Sequence, residues 1–355
     1  MKNITIIVGA RPNFMKVAPL LRVLKKDDSF LCTLVHTGQH YDKKMSDVFF
    51  NELNIPEPDY NLNVRSGSHA EQTAKIMILF EKICIENKID LLIVVGDVNS
   101  TMACSVVAKK LHIKVAHIEA GLRSNDRLMP EEINRLITDS ISDYLFVTEE
   151  SGMDNLLNEG QKESNIFFVG NLMIDSLHYG LEKIKNRDKF SNQDYGLVTL
   201  HRPSNVDDVS KLKEILEALS TISNQIPLYF SVHPRTKSII ESNKIVLNDN
   251  IKILDALSYL DFLHLMRDSK VVFTDSGGIQ EESTILKIPC YTLRNNTERP
   301  ITIQQGTNHL VGNKQSNILD TFTKYKFKVN DNYKIPHGWD GLAASRIINT
   351  LKQII

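Results

Sequence analysis

Three carboxylates of the first half of the chain follow apolar runs, at the points where predicted strands end. Asp97 follows Leu91–Val95 after one glycine, Glu119 follows Val115–Ile118, and Glu131 is the second residue of PEEINR a few residues later. Acids gathered at one place are costly unless they are paired with cations or used as acid and base. A single acid of this kind is more often a solvated loop residue or a helix cap, but three after successive strands favour proton-transfer chemistry.

Two arginines are placed to neutralise these carboxylates. Arg135 comes four residues after Glu131, a spacing that puts both side chains on one face of a helix. Glu132 lies about 100° away around the same helix and is expected to point elsewhere. We expect Arg123 and Arg135 to pair with the three acids.

The stretch DSGGIQEE, which begins at Asp275, has the composition of a phosphate-binding turn. Small residues between a strand and a helix leave backbone N–H groups free at the helix N-terminus, where the helix dipole attracts anions. Ser276, Gly277 and Gly278 are the candidates to bind a diphosphate, and Glu282 is placed to accept hydrogen bonds from ribose hydroxyls. The alternative is an ordinary helix with Asp275 or Ser276 as its N-cap.

Basic side chains at other strand ends suit the same anion. Arg11 stands where the first strand enters its helix, and arginine binds phosphate through parallel hydrogen bonds. Lys16 lies deeper in that helix, where a surface charge is the simpler interpretation, and it is kept as a substrate-binding candidate. His201 and His233 each follow a strand of the second half. A histidine there is more often structural, but two near a phosphate site suggest cations for the diphosphate or a proton carrier.

Several cofactor motifs are absent from the sequence. It contains no GxGxxG, no GxxxxGK[ST] and no HExxH. The four cysteines form no CxxC pair, so neither a disulfide framework nor a cysteine zinc site is predicted. We expect no nicotinamide cofactor and no metal ligands.

Short apolar runs alternate with helical stretches along the whole chain. Continuous runs of Ile, Val and Leu are typical of parallel strands buried on both faces. The predicted strands are 4–8, 31–36, 91–95, 115–118, 144–147, 166–169, 197–200, 228–232, 251–254, 271–274, 290–292 and 309–311, and the predicted helices are 16–26, 43–51, 70–87, 101–111, 131–142, 151–159, 209–223, 259–267, 279–286, 316–324 and 341–355. Repeated β-α units of this kind predict an α/β fold with doubly wound sheets.

The length of 355 residues suggests two domains. A charged, polar stretch at 183–195 interrupts the alternation and is the predicted linker. We predict a Rossmann-like domain at 1–182 that carries the carboxylates, a second Rossmann-like domain at 183–338, and a C-terminal helix at 339–355. Ligands bind at the carboxyl ends of parallel strands, so a cleft between the domains is the expected site.

The charge balance argues against two classes of protein. The chain has 42 Lys and Arg against 43 Asp and Glu, a net charge of −1. Neither nucleic-acid binding nor polybasic membrane binding is therefore expected. The N-terminal apolar run is too short for a signal peptide or a membrane span, and the unpaired cysteines fit a reduced, cytosolic compartment.

In their order and spacing, these motifs resemble those of the non-hydrolysing UDP-N-acetylglucosamine 2-epimerases. The resemblance is carried by GARPNFMK, GDVNST, HIEAGLRS, PEEINR, TLHRP, DSGGIQEE, TERP and WDGLAASRI. It implies the GT-B architecture, with UDP bound by the second domain and the final helix packed back on the first. It also implies a cytoplasmic homodimer that interconverts UDP-GlcNAc and UDP-ManNAc, without nicotinamide or metal, to supply bacterial surface polysaccharide precursors.

The resemblance and the motifs together give the predicted roles. The predicted catalytic residues are Asp97, Glu119, Glu131 and His201. The predicted substrate-binding residues are Arg11, Lys16, Arg135, His233, Ser276, Gly277, Gly278, Glu282 and Arg294. The implied reaction eliminates UDP to leave 2-acetamidoglucal and then adds UDP back, with proton carriers on both faces of C2.

Some positions depart from the family pattern. Asn13, Ser204 and Ile301 stand where many members have an acid, which leaves room for a related UDP-2-acetamido sugar as substrate. The stretch Gln39–Asp42 lacks the second glutamine through which some members bind an activating UDP-GlcNAc, so activation by this route is left open.

Three other functions stay open on the sequence alone. They are a GT-B glycosyltransferase, a non-catalytic sensor of nucleotide sugars, and a hydrolysing variant that releases free ManNAc. Transfer to an acceptor does not call for proton carriers on both faces of C2, so the three carboxylates favour the epimerase.

Overall fold

The computed structural model of the chain describes residues 1–38 and 50–355. These fall into two compact units, Met1–His178 with His337–Ile355, and Tyr179–Pro336. Each unit is built on one parallel sheet with helices between its strands. The predicted α/β class with two doubly wound sheets is confirmed.

The sheet of the first unit has the strand order β3-β2-β1-β4-β5-β6-β7 within the described residues. The strands are β1 Lys2–Val8, β2 Phe30–His36, β3 Tyr60–Asn61, β4 Leu91–Val95, β5 Lys114–Ala120, β6 Tyr144–Val147 and β7 Ile166–Phe168. Strand β4 is buried over its whole length, as a parallel strand covered on both faces should be. Because β1, β4 and β5 are parallel neighbours, the residues that follow them meet at one edge of the sheet.

Helices connect these strands. They are α1 Arg11–Leu24, α2 His69–Glu86, α3 Asn99–Lys110, α4 Pro130–Ile141, α5 Glu150–Asn158 and α6 Leu172–Ile184. Helix α6 runs from the first unit into the second.

The sheet of the second unit has the order β10-β9-β8-β11-β12-β13. Its strands are β8 Gly196–Thr199, β9 Leu228–Ser231, β10 Ile251–Leu254, β11 Val271–Thr274, β12 Cys290–Thr292 and β13 Asn308–Leu310. Its helices are α7 Pro203–Val206, α8 Val209–Ser223, α9 Pro234–Ser242, α10 Tyr259–Arg267, α11 Gly277–Leu286, α12 Pro300–Gln304 and α13 Gln315–Tyr325. Strands β8 and β11 are paired in parallel, so the turns after them lie side by side.

The last helix, α14 Ala343–Ile354, belongs to the first unit. The backbone N–H groups of Ala343 and Ala344 donate to the carboxylate of Asp175 at 3.2 and 2.9 Å. Just before the helix, the indole of Trp339 donates to the carbonyl of Thr148 at 3.1 Å. These contacts hold the end of the chain against the first unit.

Helix α1 starts five residues earlier than predicted. It begins at Arg11, with Pro12 in its first turn, where the missing N–H of proline costs nothing. The side chain of Asn13 accepts hydrogen bonds from the backbone N–H groups of Gly9 and Ala10, at 3.2 and 3.1 Å, and so fixes the turn before the helix.

Six other elements of the described residues were not predicted. They are the two-residue strand β3, helices α6, α7, α9 and α12, and a single 3₁₀ turn at Glu163–Asn165. Three of these helices begin at a proline, which favours the first turn of a helix. The predicted helix 43–51 lies almost entirely outside the described residues. No helix in the described part of the chain is long and apolar enough to cross a membrane.

Candidate active site

An ion pair between Lys16 and Glu119 lies at the carboxyl edge of the first sheet. Lys16 comes from α1 and Glu119 from β5, and the two residues are only 7% and 5% exposed. Gly96, which follows β4, packs against them. A Cβ at this glycine would lie 3.1 Å from Lys16 Nζ and 3.2 Å from Glu119 Oε2. The interpretation of Lys16 as a surface charge is therefore wrong.

Asp97 is paired with Arg135 of α4. The distance from Arg135 Nη1 to Asp97 Oδ2 is 2.5 Å, and the Asp97 side chain is 28% exposed whereas that of Arg135 is buried. The amide of Asn134 donates to the backbone carbonyl of Asp97 at 2.9 Å and fixes the turn. The predicted pairing of Arg135 with one of the three acids is confirmed, and the carboxylate keeps a surface open to a ligand.

Glu131 and Glu132 both lie in the first turn of α4. Glu131 is half-buried, and Glu132 is buried. Glu132 accepts a hydrogen bond from Arg135 at 2.7 Å and another from the backbone N–H of Ser124 at 3.0 Å. The expectation that Glu132 points away from the charged site is wrong, because a residue three positions before Arg135 on a helix is as near to it as one four positions before.

Glu132 is therefore a part of the site that the sequence analysis missed. Burial acts to raise its pKa, but the Ser124 N–H and the Arg135 guanidinium outweigh burial and hold the pKa below its usual range. Glu132 stays ionised at neutral pH and balances Arg135. The three-residue spacing between Glu132 and Arg135 was the feature of the sequence that could have identified this contact.

Arg123 belongs to a different group of charges. Its guanidinium lies 2.7 Å from Asp139 and 2.6 Å from Glu159. The expected pairing of Arg123 with the three predicted acids is therefore wrong. Its partners come from helices α4 and α5, and no local spacing in the sequence shows that they lie close to it.

Two predictions depend on parts of the chain that lie outside the described residues. The structure places Arg11 at the start of α1, but its side chain is outside the described part, so its contact with phosphate stays a prediction. The stretch Gln39–Asp42 is also outside it.

In the second unit, Asp275 organises the turns after β8 and β11. Its carboxylate accepts the backbone N–H groups of His201 and Arg202 at 3.1 and 2.9 Å, and His201 Nδ1 lies 3.1 Å from it. Burial acts to raise the pKa of Asp275, but the contacts with His201 and these N–H groups outweigh it and lower the pKa. The His201 side chain is 42% exposed, so it remains accessible to a ligand.

The predicted phosphate-binding turn forms the N-terminus of α11. Ser276 occupies the N-cap position, but in the described structure its side chain makes no capping hydrogen bond. Gly277 opens the helix, and a Cβ there would lie 2.9 Å from Glu298 Oε1 and 3.3 Å from Arg299 Cζ. The alternative of an ordinary capped helix therefore lacks the side-chain hydrogen bond of a cap. The absence of a Cβ at Gly277 leaves room for the charged groups beside the turn.

Glu282 lies further along α11 and is buried. Its Oε1 accepts a hydrogen bond from the hydroxyl of Tyr259 at 3.0 Å. This contact orients the carboxylate that the sequence analysis proposed as an acceptor for ribose hydroxyls.

Three guanidinium groups surround the buried carboxylate of Glu298. The distances to Arg294, Arg299 and Arg202 are 2.8, 2.9 and 3.8 Å. Burial acts to raise the pKa of Glu298, but Arg299 and Arg294 outweigh it and hold the pKa far below its usual range. Arg299 also lies 2.8 Å from Glu281.

This cluster therefore places guanidinium groups beside the N-terminus of α11. Guanidiniums next to a helix N-terminus suit an anion. Of the cluster, the sequence analysis proposed only Arg294 as a binding residue. The others stand in the motifs TLHRP, DSGGIQEE and TERP, which the resemblance had already marked.

His233 occupies the N-cap of α9, where its Nδ1 accepts the backbone N–H of Arg235 at 3.3 Å. This is the structural role that a histidine at a strand end commonly has. The residue is exposed, and its predicted contact with substrate stays a prediction.

Within residues 1–38 and 50–355, no three His, Cys, Asp or Glu side chains are grouped so as to hold a metal ion. The four cysteines are free thiols. Burial raises the pKa of Cys290 to about 12, so this thiol stays protonated at neutral pH and is a poor nucleophile.

Comparison with known proteins connects these two sites to one family. A family model described as UDP-N-acetylglucosamine 2-epimerase matches residues 22–352. A Methanocaldococcus jannaschii protein named UDP-N-acetylglucosamine 2-epimerase is 44% identical over 98% of each chain. A Pseudomonas aeruginosa protein named UDP-2,3-diacetamido-2,3-dideoxy-D-glucuronate 2-epimerase is 39% identical over the full length of both.

A solved structure agrees with these matches. The crystal structure of the Methanocaldococcus jannaschii UDP-GlcNAc 2-epimerase in complex with UDP-GlcNAc and UDP is 43% identical, covers 99% of each chain and gives a TM-score of 0.92. By sequence along its whole length and by structure, this chain belongs to the UDP-N-acetylglucosamine 2-epimerase family.

Proposed function

We propose that this chain interconverts UDP-GlcNAc and UDP-ManNAc by inverting the configuration at C2. The observation that carries the proposal is that two acids at one sheet edge have separate cations, Glu119 with Lys16 and Asp97 with Arg135. Inversion requires a proton to leave one face of C2 and another to arrive on the opposite face. A site that holds two or more carboxylates in place supplies a proton carrier for each face of C2.

The proposed reaction begins with elimination, because the proton on C2 is not next to a carbonyl group. A carboxylate takes that proton, the electrons of the C2–H bond form a C1–C2 double bond, and the C1–O bond breaks with its electron pair leaving on UDP. The intermediate is 2-acetamidoglucal. UDP then adds back to C1 while an acid protonates C2 from the other face. The proposal assigns both carriers to the set Asp97, Glu119 and Glu131.

The second unit is assigned to UDP. Negative charge on the diphosphate grows as the C1–O bond breaks, so donors that are already in place lower the barrier. The backbone N–H groups at Ser276–Gly278, the exposed His201 and the arginines around Glu298 are suited to that charge. Glu282, oriented by Tyr259, is suited to the ribose hydroxyls. Arg11 is proposed as a further partner of the diphosphate.

A second candidate substrate is a UDP-2,3-diacetamido sugar acid. The observation that favours it is the relative of that name at 39% identity over the full chain. Both substrates carry an acetamido group at C2 and UDP at C1, so the same elimination and re-addition apply to each. The two candidates differ only in which groups the enzyme recognises at C3 and C6.

The test is a time course by ¹H and ³¹P NMR with UDP-GlcNAc as the sole substrate. We expect UDP-ManNAc to appear and reach equilibrium with UDP-GlcNAc, with no build-up of free sugar. No reaction in the absence of an acceptor would support a glycosyltransferase or a sensor, and accumulation of free ManNAc with UDP would support the hydrolysing variant. The UDP-2,3-diacetamido sugar acid is assayed in parallel. If its kcat/KM is higher than that of UDP-GlcNAc, it is the substrate instead.

Three further predictions follow from the resemblance alone. They are a homodimer, a cytoplasmic location, and supply of bacterial surface polysaccharide precursors. The pathway stays a prediction, since the relatives described above come from an archaeon and a bacterium alike.

A further inference from the structure

Glu119 has a backbone conformation that glutamate rarely adopts. Its φ is +72°, and the pairing of β5 with β6 shifts register between Ile118 and Ala120, so Glu119 is the extra residue of a bulge. A bulge re-aims a side chain, and here the carboxylate meets Lys16. Such a conformation persists only where the surrounding structure holds it.

His117 holds the backbone on one side of this bulge. The residue is fully buried, and its Nε2 lies 2.8 Å from the carbonyl oxygen of Gly96. A carbonyl only accepts hydrogen bonds, so this ring nitrogen carries a proton. Gly96 is the residue whose backbone packs against the Lys16–Glu119 pair.

Asp139 holds the other side. One carboxylate oxygen lies 2.6 Å from His117 Nδ1, and the other accepts the backbone N–H of Gly121 at 3.1 Å and contacts Arg123 at 2.7 Å. Burial acts to raise the pKa of Asp139, but His117 and Arg123 outweigh it and lower the pKa. The carboxylate therefore links the ring of His117 to the backbone N–H of Gly121, on the far side of the bulge.

We propose that the buried His117–Asp139 pair positions Glu119 for proton transfer at C2. The imidazole fixes Gly96 in the turn after β4, the carboxylate fixes Gly121 after the bulge, and Glu119 is aimed between these two anchors. Both residues of the pair are fully buried, so they act through Glu119 and do not touch the substrate. The inference rests on the proposed function of Glu119.

The first test compares the steady-state kinetics of Asp139→Asn, His117→Gln and His117→Ala. Asp139→Asn removes the negative charge that pairs with Arg123 and lies against His117, and we expect kcat to fall by about tenfold or more while KM stays within about twofold. Glutamine at position 117 keeps one donor for Gly96, so its loss in kcat should be smaller than that of alanine. If the pair had a purely structural role, the variants would be less stable, but their kcat values would not follow this order.

The matched control is Asp143→Asn. Asp143 accepts the backbone N–H of Val115 at the opposite end of β5, at 2.8 Å, and pairs with Lys109. It holds the same strand but not the bulge, so kcat should stay at the wild-type value. Wild-type kcat in folded Asp139→Asn would overturn the proposal.

The second test does not depend on activity. In ¹⁵N NMR of the wild-type protein, Nε2 of His117 should carry the proton that it donates to the carbonyl of Gly96, and an Nε2 without a proton would overturn the proposal. A wild-type protein that leaves UDP-GlcNAc unchanged would contradict the proposed function instead. A crystal structure of Asp139→Asn then decides the positioning role, which is overturned if the backbone of Glu119 stays in the left-handed region with its contact to Lys16 intact.

Discussion

The charged regions of the two units balance their charges in different ways. In the first unit each acid of the pair has its own cation, Lys16 for Glu119 and Arg135 for Asp97. In the second unit a single buried carboxylate, Glu298, is surrounded by three guanidiniums. Separate cations hold the two carboxylates in place for proton transfer, although Arg135 is shared with the buried Glu132, whereas the guanidiniums grouped around Glu298 are suited to an anionic ligand.

The exposure of two of these acids differs in the same sense. The side chain of Asp97 is 28% exposed, whereas that of Glu298 is 4% exposed. Asp97 is therefore open to a ligand, whereas Glu298 is enclosed by the arginines that it orients; Glu119 is also buried, and Lys16 holds it in place. The comparison predicts that acids of the first unit matter for turnover and that Glu298 matters for stability.

The largest expected effect is on stability, in Glu298→Gln. A neutral amide would take away the negative charge that the buried guanidiniums of Arg294 and Arg299 and the partly exposed guanidinium of Arg202 surround. Removing one partner of a buried ion pair costs about 3 to 5 kcal/mol, so chemical denaturation should show a fall of that size in the free energy of unfolding. The control is Asp255→Asn, an exposed carboxylate paired with Lys237 in the same unit, which should leave stability unchanged. If Glu298→Gln is as stable as the wild-type protein, the proposed difference between the acids of the two units is wrong.

The next largest effect is on turnover, in Glu119→Gln. The amide keeps the size of the side chain but cannot take up a proton, so kcat should fall by about a hundredfold or more. The affinity for UDP, measured by titration calorimetry, should not change, because Glu119 is not among the residues proposed to bind UDP. Glu163→Gln, an exposed residue of the first unit, serves as the control. Turnover near the wild-type value would remove Glu119 from the mechanism.

A smaller effect is expected on UDP binding, in Gly277→Ala. The added Cβ would lie 2.9 Å from Glu298 Oε1 and 3.3 Å from Arg299 Cζ, so the cluster beside the helix N-terminus must shift. We expect the Kd for UDP to rise about tenfold, which corresponds to about 1.4 kcal/mol. Gly67→Ala, where the nearest contact of the new Cβ is an ordinary 3.4 Å, should bind UDP normally. An unchanged Kd in Gly277→Ala would show that this turn does not hold the diphosphate.

The smallest effect is in the pH dependence of stability. The pKa of Glu298 is lowered in the folded protein from an ordinary value of 4.5, so its ion pairs contribute stability above about pH 4.5 that is lost as the pH falls. The free energy of unfolding should decrease by about 1 kcal/mol for each pH unit below that value. This slope should be shallower in Glu298→Gln than in the wild-type protein. Equal slopes would mean that Glu298 is not the group that titrates.

The sequence predicted the parts of the fold that depend on local pattern. The buried runs that form β4 and β11 are continuous apolar stretches, and the chemistry follows them in GDVNST and DSGGIQEE. Because parallel strands present their carboxyl ends at one edge, motifs far apart in sequence could be assigned to common sites before any contact was known.

Long-range pairing could not be predicted in this way. Lys16 and Glu119 are 103 positions apart, and only the fold shows that the lysine is buried. The partners of Arg123 come from two different helices, so the expected pairing was wrong. Glu132 was missed for another reason: its three-residue spacing to Arg135 was visible, but the four-residue spacing from Glu131 was preferred.

In the proposed reaction, C2 is inverted by loss and return of its proton, with UDP released and added back. NMR of the reaction of UDP-GlcNAc in D₂O tests this most directly. We expect the UDP-ManNAc formed to carry deuterium at C2, with 2-acetamidoglucal and UDP detectable as transient species. Product that retains hydrogen at C2 would contradict it.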